Sequence, residues 1–320
     1  MSYYKPLQYA VPPEEEGFLL KTILQKRLGV SRKLLSRVKL TEKGIMLNGE
    51  RVYISVKVAA GDLVEVRMEL EESEDIMPQE MPLDIIFEDD ELLILAKKAG
   101  MIVHPTQGHY VNTIANGVVH YWREKGETVR FRPIHRLDQE TSGVLAIAKN
   151  AFVHQQISEQ MIAHVVQKEY LALVHGVVEQ DEGTIDAPID RNPDEPHIRI
   201  VIESGYRAVT HYKVEQRYAI MTLVRLRLET GRTHQIRVHM KYIGHPLLGD
   251  KMYGPEELST DSGQAESLNT ICPNSTIIER QALHAARLGF VHPRTREWIQ
   301  FDAPLPEDMT KAIEQVKELS

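Results

Sequence analysis

The 320-residue sequence predicts an α+β fold: a mixed, largely antiparallel sheet with flanking helices, preceded by a small α/β module. Three observations lead there. Strand-like segments follow one another across gaps too short for a helical crossover, as at Glu88-Asp89-Asp90, which favours antiparallel neighbours. Helical periods at Asn112–Lys125, Asn150–Val165 and His234–Tyr242 lie among these strands without the strict alternation of a doubly wound parallel sheet. The stretch Phe18–Met68 carries a compact pattern of its own, and the chain is long enough for one large domain and one small one.

Within the small module, Leu20, Leu24 and Leu28 recur every four residues with Leu19 and Ile23 beside them, which marks one helix face. Ser31 is an N-cap for a second helix bearing Leu34, Leu35 and Val38 inward and Arg32, Lys33, Arg37 and Lys39 outward. Ile45-Met46-Leu47, the turn pair Asn48-Gly49 and Arg51-Val52-Tyr53-Ile54 read as a hairpin. After a turn at Gly61-Asp62, Val64, Val66 and Met68 alternate with Glu65 and Arg67 as in a strand. Residues 1–17 are expected as an N-terminal tail, 18–70 as the small domain and 71–81 as an acidic linker. The large domain is expected over 82–320, with strands at Leu83–Phe87, Glu91–Ala96, Val144–Lys149, Lys168–His175, Arg207–Tyr218 and Ile220–Glu229. Residues 254–281, rich in Ser, Thr, Asn and Glu, read as a flexible insertion.

Composition is that of a globular protein, with 42% hydrophobic and 26% charged residues. The single cysteine, Cys272, excludes a disulfide framework and a Cys-rich zinc site. The chain shows neither a signal-peptide pattern nor an apolar run approaching the ~20 residues of a membrane span, so the cytoplasm is the expected compartment. The net charge of −8 hides segregation. Phe18–Lys57 holds ten Lys or Arg against two acids, Glu71–Glu91 holds ten acids and no Lys or Arg, and Arg199–Lys241 holds nine basic residues against three acids. Screening limits the reach of charge to about 10 Å at 0.1 M salt, so an RNA partner would respond to such blocks rather than to the total; solvated helix faces and a flexible hinge are the plainer reading of charge alone.

The small module, with SRKLLSRVK leading into GIMLNGERV and AAGDLVEV, resembles the S4 RNA-binding module. The resemblance implies docking of RNA phosphates on the basic second helix, through Arg32, Lys33, Arg37 and Lys39, with little sequence reading.

The chemistry concentrates in HRLDQETSG, His135–Gly143. A carboxylate in a turn with an arginine nearby and a strand behind it serves as acid, base or nucleophile, or as a turn Asp bonding its own backbone. The kinase catalytic loop is excluded by the extra Leu137 and by the lack of an Asp-Phe-Gly and a glycine-rich phosphate loop. Around it stand KKAGMIVHP (Lys97–Pro105), QKEYLALVHG (Gln167–Gly176), ETGRTHQIRVHMKYIGHPLLGDKMYG (Glu229–Gly254) and QALHAARLGFVHP (Gln281–Pro293). In this order they closely resemble the bacterial-type pseudouridine synthases that modify ribosomal and transfer RNA, the RluA-like branch. The likeness covers almost all of Leu83–Pro304. Lys98 departs from it, standing where the family usually has proline.

The resemblance implies isomerisation of uridine to pseudouridine in structured RNA, ribosomal RNA first and transfer RNA as the alternative, without cofactor or metal. It makes Asp138 the catalytic aspartate, Arg237 its cationic partner and Tyr170 a ring that stacks on uracil and moves a proton. Leu283 is expected as an apolar wall beneath Tyr170 or as ordinary core, and Arg136 is expected against RNA, filling the space left by the flipped uridine, or in a salt bridge that orients the turn. The physics asks for such a cation, because a carboxylate covered by a flipped base otherwise gains a proton. The resemblance leaves attack on the sugar, attack on the base and elimination to a glycal open. His234, His239 and His245 are not expected to bind metal, since His234 and His239 are five apart on different helix faces. A non-catalytic RNA-binding or ribosome-assembly protein is the alternative class. A zinc deaminase is excluded by the lone cysteine. The simplest oligomeric state is a monomer.

Overall fold

The computed structural model describes residues 2–255 and 278–318. The N-terminal unit contains β1 (Leu7–Ala10), α1 (Leu20–Lys26), α2 (Arg32–Val38), β2 (Ile45–Leu47), β3 (Glu50–Arg51) and β4 (Leu63–Val66). Ser31 Oγ accepts the Leu34 amide proton at 3.2 Å and caps α2 as expected. Asn48 and Gly49 adopt φ of 49° and 83°, the pair of left-handed residues that a tight β2–β3 turn requires. Leu20, Ile23, Leu24, Leu34, Leu35 and Val38 pack inward, whereas Leu19 is exposed.

Two boundaries differ from expectation. The segment before Phe18 is not a tail: β1 pairs antiparallel with β4, and the sheet order is β1-β4-β2-β3. Burying the β4 edge this way also buries Glu65, which accepts from Gln8 Nε2 at 2.9 Å and from Arg67 Nη2 at 3.0 Å. The acidic stretch 71–81 is not a loose linker either. Ile76 is buried, Ser73 Oγ accepts the Phe131 amide proton at 2.9 Å, and Glu71 pairs with Arg132 and Arg37. Glu71 and Glu72 have basic partners, Arg37 on the small unit and Arg132 and Arg123 on the large one, which is why an acidic composition did not mean a loose linker.

The large unit runs β5 (Ile85–Glu88), β6 (Leu92–Lys97), α3 (Ile114–Glu124), β7 (Ser142–Ala148), α4 (Ala151–Ile162), β8 (Gln167–His175), β9 (Glu182–Asp186), β10 (Ile189–Arg191), β11 (Arg199–Val201), β12 (Val209–Arg217), β13 (Met221–Leu228), α5 (Gln235–Tyr242), β14 (Leu283–Val291), β15 (Trp298–Asp302) and α6 (Glu307–Glu318). Nine strands form one sheet in the order β5-β6-β7-β14-β8-β13-β12-β9, with β15 on β14. Among the described residues every pairing in it is antiparallel except β14 with β7. The mixed, largely antiparallel α+β architecture is therefore the one the sequence predicts.

All seven residues of β7 are buried, so this central strand reads as an unbroken apolar run rather than an alternation. Gly143 enters it at φ 118°, and a Cβ there would lie 2.1 Å from the Ala285 carbonyl oxygen. Only glycine lets β7 and β14 approach so closely, which gives the last residue of HRLDQETSG its physical reason. In α3, Thr113 and Asn116 form a capping box, and Ile114, Val118 and Trp122 turn inward on successive turns.

One core cluster spans both units, joining Leu20, Leu24 and Leu35 to Phe152, Val153, Ile157 and Phe290. Gln155 and Gln156 of α4 donate to the Gly29 carbonyl at 2.8 and 2.9 Å, fixing the two together. Fully burying side chains of this size is worth about 1.5–3 kcal/mol each, so neither unit is indifferent to the other. The expected insertion at 254–281 lies mostly outside the described residues, but Ile278, Arg280 and Gln281 are described and buried. Among the described residues no helix is long and apolar enough to cross a membrane.

Candidate active site

Asp138 stands on the turn that feeds β7, its own carbonyl accepting the Thr141 amide proton at 3.0 Å. Two buried basic side chains hold this turn from behind. Lys97, at the end of β6, donates from Nζ to the Gln139 carbonyl at 2.8 Å and the Lys98 carbonyl at 2.9 Å. Arg280 donates from Nη1 to the Glu140 carbonyl at 2.9 Å and is itself held by Asp308 of α6. Burial pushes the Lys97 amine down to about 7, with Glu140 opposing, Arg280 adding to the fall and Asp138 opposing it. Gly100 and Gln139 also exchange backbone and side-chain hydrogen bonds, so the turn stays closed without the usual proline. Lys98 forms an ion pair with Asp84 at 3.4 Å rather than standing as a free charge.

Arg237, in the first half of α5, is buried beneath Asp138. Its Nη1 lies 3.5 Å from Asp138 Oδ2. Its other two nitrogens bind Asp250, with Nε 2.6 Å from Oδ2 and Nη2 2.7 Å from Oδ1. Asp250 is wholly buried and also accepts the amide protons of Met252 and Tyr253, each at 3.0 Å. Burial alone would raise its pKa; the bonds from Arg237 and the two amides reverse that and hold it below the usual carboxylate range. The Tyr253 ring sits 4.8 Å from the Arg237 guanidinium carbon. Gly249, at φ 67°, makes this arrangement possible: a Cβ there would meet the Arg280 carbonyl oxygen at 2.2 Å.

Tyr170, on β8, is flanked in the sheet by Ala285 of β14 and Leu226 of β13. Burial, and then the negative charge of Asp138, push its phenol pKa up, so the hydroxyl keeps its proton at neutral pH. Leu283 lies in the same core cluster as Tyr170 and Leu137. Arg136 is exposed next to Asp138 and makes no ion pair among the described residues. His135 points the other way: its Nε2 accepts the Ala146 amide proton at 3.3 Å, and burial, aided by Lys168, lowers its pKa to about 4. It is a neutral support for the turn.

On α2, Arg32, Lys33 and Lys39 are exposed and make no side-chain ion pair among the described residues. Arg37 differs, because it is engaged by Glu71. His239 is bound by Thr210 and the Ala187 carbonyl, and His245 by the His175 carbonyl, so each sits apart with its own partner. Asp250, Tyr253 and His234 complete the surroundings of Asp138 and Arg237. They lie in the motif stretches GDKMYG and THQIR, yet sequence reasoning assigned them no role in catalysis. Arg280 stands one residue before QALHAARLGFVHP.

A model of the RNA pseudouridylate synthase family matches residues 91–242. The RNA pseudouridine synthase YlyB of Bacillus subtilis is 42% identical over 276 residues, covering 85% of this chain and 86% of that protein. The ribosomal large subunit pseudouridine synthase D of Escherichia coli K12 is 35% identical over 285 residues, covering 88% and 86%. The solved human RNA pseudouridylate synthase domain containing 4 superposes with a TM-score of 0.60 at 24% identity, over 73% of this chain and 93% of that one, a likeness of fold. Through identity of this extent along most of its length, the chain belongs to the RNA pseudouridylate synthase family.

Proposed function

We propose that this enzyme converts uridine to pseudouridine in large-subunit ribosomal RNA, in the cytoplasm, with Asp138 as the reacting carboxylate and no cofactor. The meeting of Asp138, Arg237 and Tyr170 carries the reading. The reaction breaks the bond from ribose C1′ to uracil N1, turns the base, and joins C1′ to C5; the proton on C5 is lost and N1 gains one. Atoms balance without oxidant, water or metal. The uridine leaves its stack to reach the site, at a cost of a few kcal/mol, and exposed Arg136 is suited to fill the gap. Asp138 then bears on the sugar or base while Arg237 supplies the adjacent positive charge. Tyr170 is suited to stack on uracil with Leu283 beneath and to move a proton through its hydroxyl. The N-terminal unit, read as S4-like, docks RNA through Arg32, Lys33 and Lys39. The choice of ribosomal RNA follows the Escherichia coli relative.

The test is pseudouridine mapping of total RNA from cells with and without the gene, complemented by wild type or Asp138→Asn. Sites in large-subunit rRNA should disappear, return with wild type, and stay absent with the variant. In vitro, Asp138→Asn should lose at least ~10³-fold in rate, about 4 kcal/mol of barrier, with the fold kept. Wild-type turnover should survive EDTA on pre-folded RNA. Sites lost from transfer RNA instead would move the substrate, and an Asp138→Asn rate within about tenfold of wild type would remove the aspartate from the chemistry.

A further inference from the structure

Asp138 faces a second side chain besides Arg237. His234 Nε2 lies 3.9 Å from Asp138 Oδ2, the same oxygen that Arg237 addresses. Oδ1 has no hydrogen-bond partner among the described residues. The two protein groups converge on one edge of the carboxylate and leave the other open.

The backbone at His234 is unusual. It is the N-cap of α5 in the left-handed region, φ 57° and ψ 18°, a conformation that costs a non-glycine residue roughly 1–2 kcal/mol. Its side chain makes no capping hydrogen bond. It turns instead to Tyr253, whose Oη lies 2.8 Å from His234 Nδ1, with the rings edge to face at 5.6 Å.

That contact fixes the tautomer. Tyr253 Oη has two partners among the described residues, His234 Nδ1 and the Arg199 backbone amide at 2.8 Å. The amide can only donate, so the phenol oxygen accepts there. Were Nδ1 to donate as well, the buried phenol would accept twice and its own proton would have no acceptor among the described residues, so that proton goes to Nδ1 and Nδ1 accepts. Burial holds the imidazole below its usual pKa; Asp138 and Asp250 oppose this, while Arg237 and Arg199 add to it. A neutral ring with Nδ1 as acceptor carries its one proton on Nε2, aimed at Asp138.

We propose that His234 is a positioning residue that directs an Nε2–H at Asp138 Oδ2 and so presents Oδ1 to the substrate. At 3.9 Å the contact is loose, as hydrogen bonds in free enzymes often are before substrate closes the site. Asp250 matters to this arrangement: it binds two of Arg237's three nitrogens, so Arg237 alone gives Oδ2 only one long contact. The strained backbone at His234 puts the imidazole where it supplies the second. The proposal rests on the reading of Asp138 as the reacting carboxylate.

Two substitutions separate positioning from structure. Asn tolerates the left-handed backbone but is too short to reach Asp138. Gln places an N–H near the old Nε2. Single-turnover rates with excess enzyme, and dissociation constants, are measured on a ribosomal RNA fragment carrying the mapped uridine. His234→Asn should slow the chemical step about 10- to 100-fold, the scale of a misplaced reacting group, with RNA affinity unchanged within about threefold. His234→Gln should recover most of that loss. Tyr253→Phe, which leaves the backbone untouched and frees the other tautomer, should fall between them. A His234→Asn rate within about twofold of wild type, or a Gln variant as slow as the Asn one, overturns the proposal. Asp138→Asn is run alongside. If it stays active, the aspartate reading fails; if it is dead while His234→Asn runs at full rate, only the positioning proposal fails.

Discussion

Arg237 is bound more closely to Asp250 than to Asp138, by two short hydrogen bonds against one contact of 3.5 Å. Asp250 is therefore the anchor that holds the guanidinium in place, and Asp138 meets only its free corner. The difference suits the two carboxylates. A fully paired Asp138 would be less available to a substrate, whereas a buried Asp250 without its partner would be an uncompensated charge.

Asp250→Asn should cost about 3 kcal/mol of stability at pH 7, because removing one side of a buried pair leaves the other unpaired. Urea unfolding measures it, and a loss below about 1 kcal/mol would count against the anchor role. The freed guanidinium can swing onto Asp138, so the chemical step should slow as well. The sign with pH follows from the depressed pKa of Asp250. The contribution is fully present above the unfolded value and is lost as pH falls through the lower folded one. The gap between wild type and variant should thus persist down to about pH 4 and close below it.

Glu88 gives a second acid-sensitive point, away from the site. It accepts from Lys125 and Lys149 at 2.8 Å each, from Tyr121 at 2.7 Å and from Trp122 at 3.2 Å. Burial alone would raise its pKa, but these donors lower it to about 2. Below its ordinary value the unfolded chain takes up a proton that the folded one refuses, so stability falls as pH drops through that window. Glu88→Gln should lower the urea midpoint at pH 7, and the difference should shrink steadily from about pH 5 downward. A difference that is the same at pH 7 and pH 3.5 would show that the charge is not what matters.

What the sequence made legible was local. Ser31 caps α2 and Asn48-Gly49 turns the hairpin because both effects act within three residues. Asp138, Tyr170 and Arg237 could be named because each sits in a long motif. Asp250 sits in one too, but its partner is on another element, and no spacing rule links a loop aspartate to a helix arginine. β1 was invisible for the same reason: Gln8 finds Glu65 57 positions away. β14 lay in plain view as LHAARLGFV, yet a strand buried on both faces has no alternation to distinguish it from a helix. The acidic 71–81 stretch misled because composition does not reveal that Arg37 and Arg132 wait for Glu71.

The N-terminal unit cannot be tested cleanly by deletion, since its core is continuous with Phe152, Ile157 and Phe290. Point changes on α2 are better. Replacing Arg32, Lys33 and Lys39 with Ala touches only exposed side chains, so the melting temperature should hold. RNA affinity should fall, and the slope of log affinity against log salt should flatten by roughly 0.7–0.9 for each phosphate that is no longer neutralised. Arg37→Ala should weaken binding less, because Glu71 already engages that guanidinium. An unchanged slope in the triple variant would make the unit a bystander in docking.

Tyr170 is proposed to serve two functions with one ring, and substitution separates them. Phe in its place keeps the aromatic surface packed between Ala285 and Leu226, so RNA affinity should persist; stacking of a base on such a ring is worth about 1–3 kcal/mol. The hydroxyl is lost, and a positioned proton-transfer group contributes roughly 10²–10⁴-fold, so the chemical step should slow within that range. The wild-type rate should show no alkaline fall from this phenol near pH 8–9, because burial and Asp138 keep its proton on well beyond the usual tyrosine range. Ala removes the ring and leaves a cavity beside Leu283 and Leu137, so stability should drop by about 3 kcal/mol and binding should weaken with it. Single-turnover kinetics with saturating enzyme, paired with direct binding, distinguish these outcomes. If Phe matched wild type in the chemical step while Ala lost binding, the hydroxyl would have no part in proton transfer and Tyr170 would serve as a stacking surface alone.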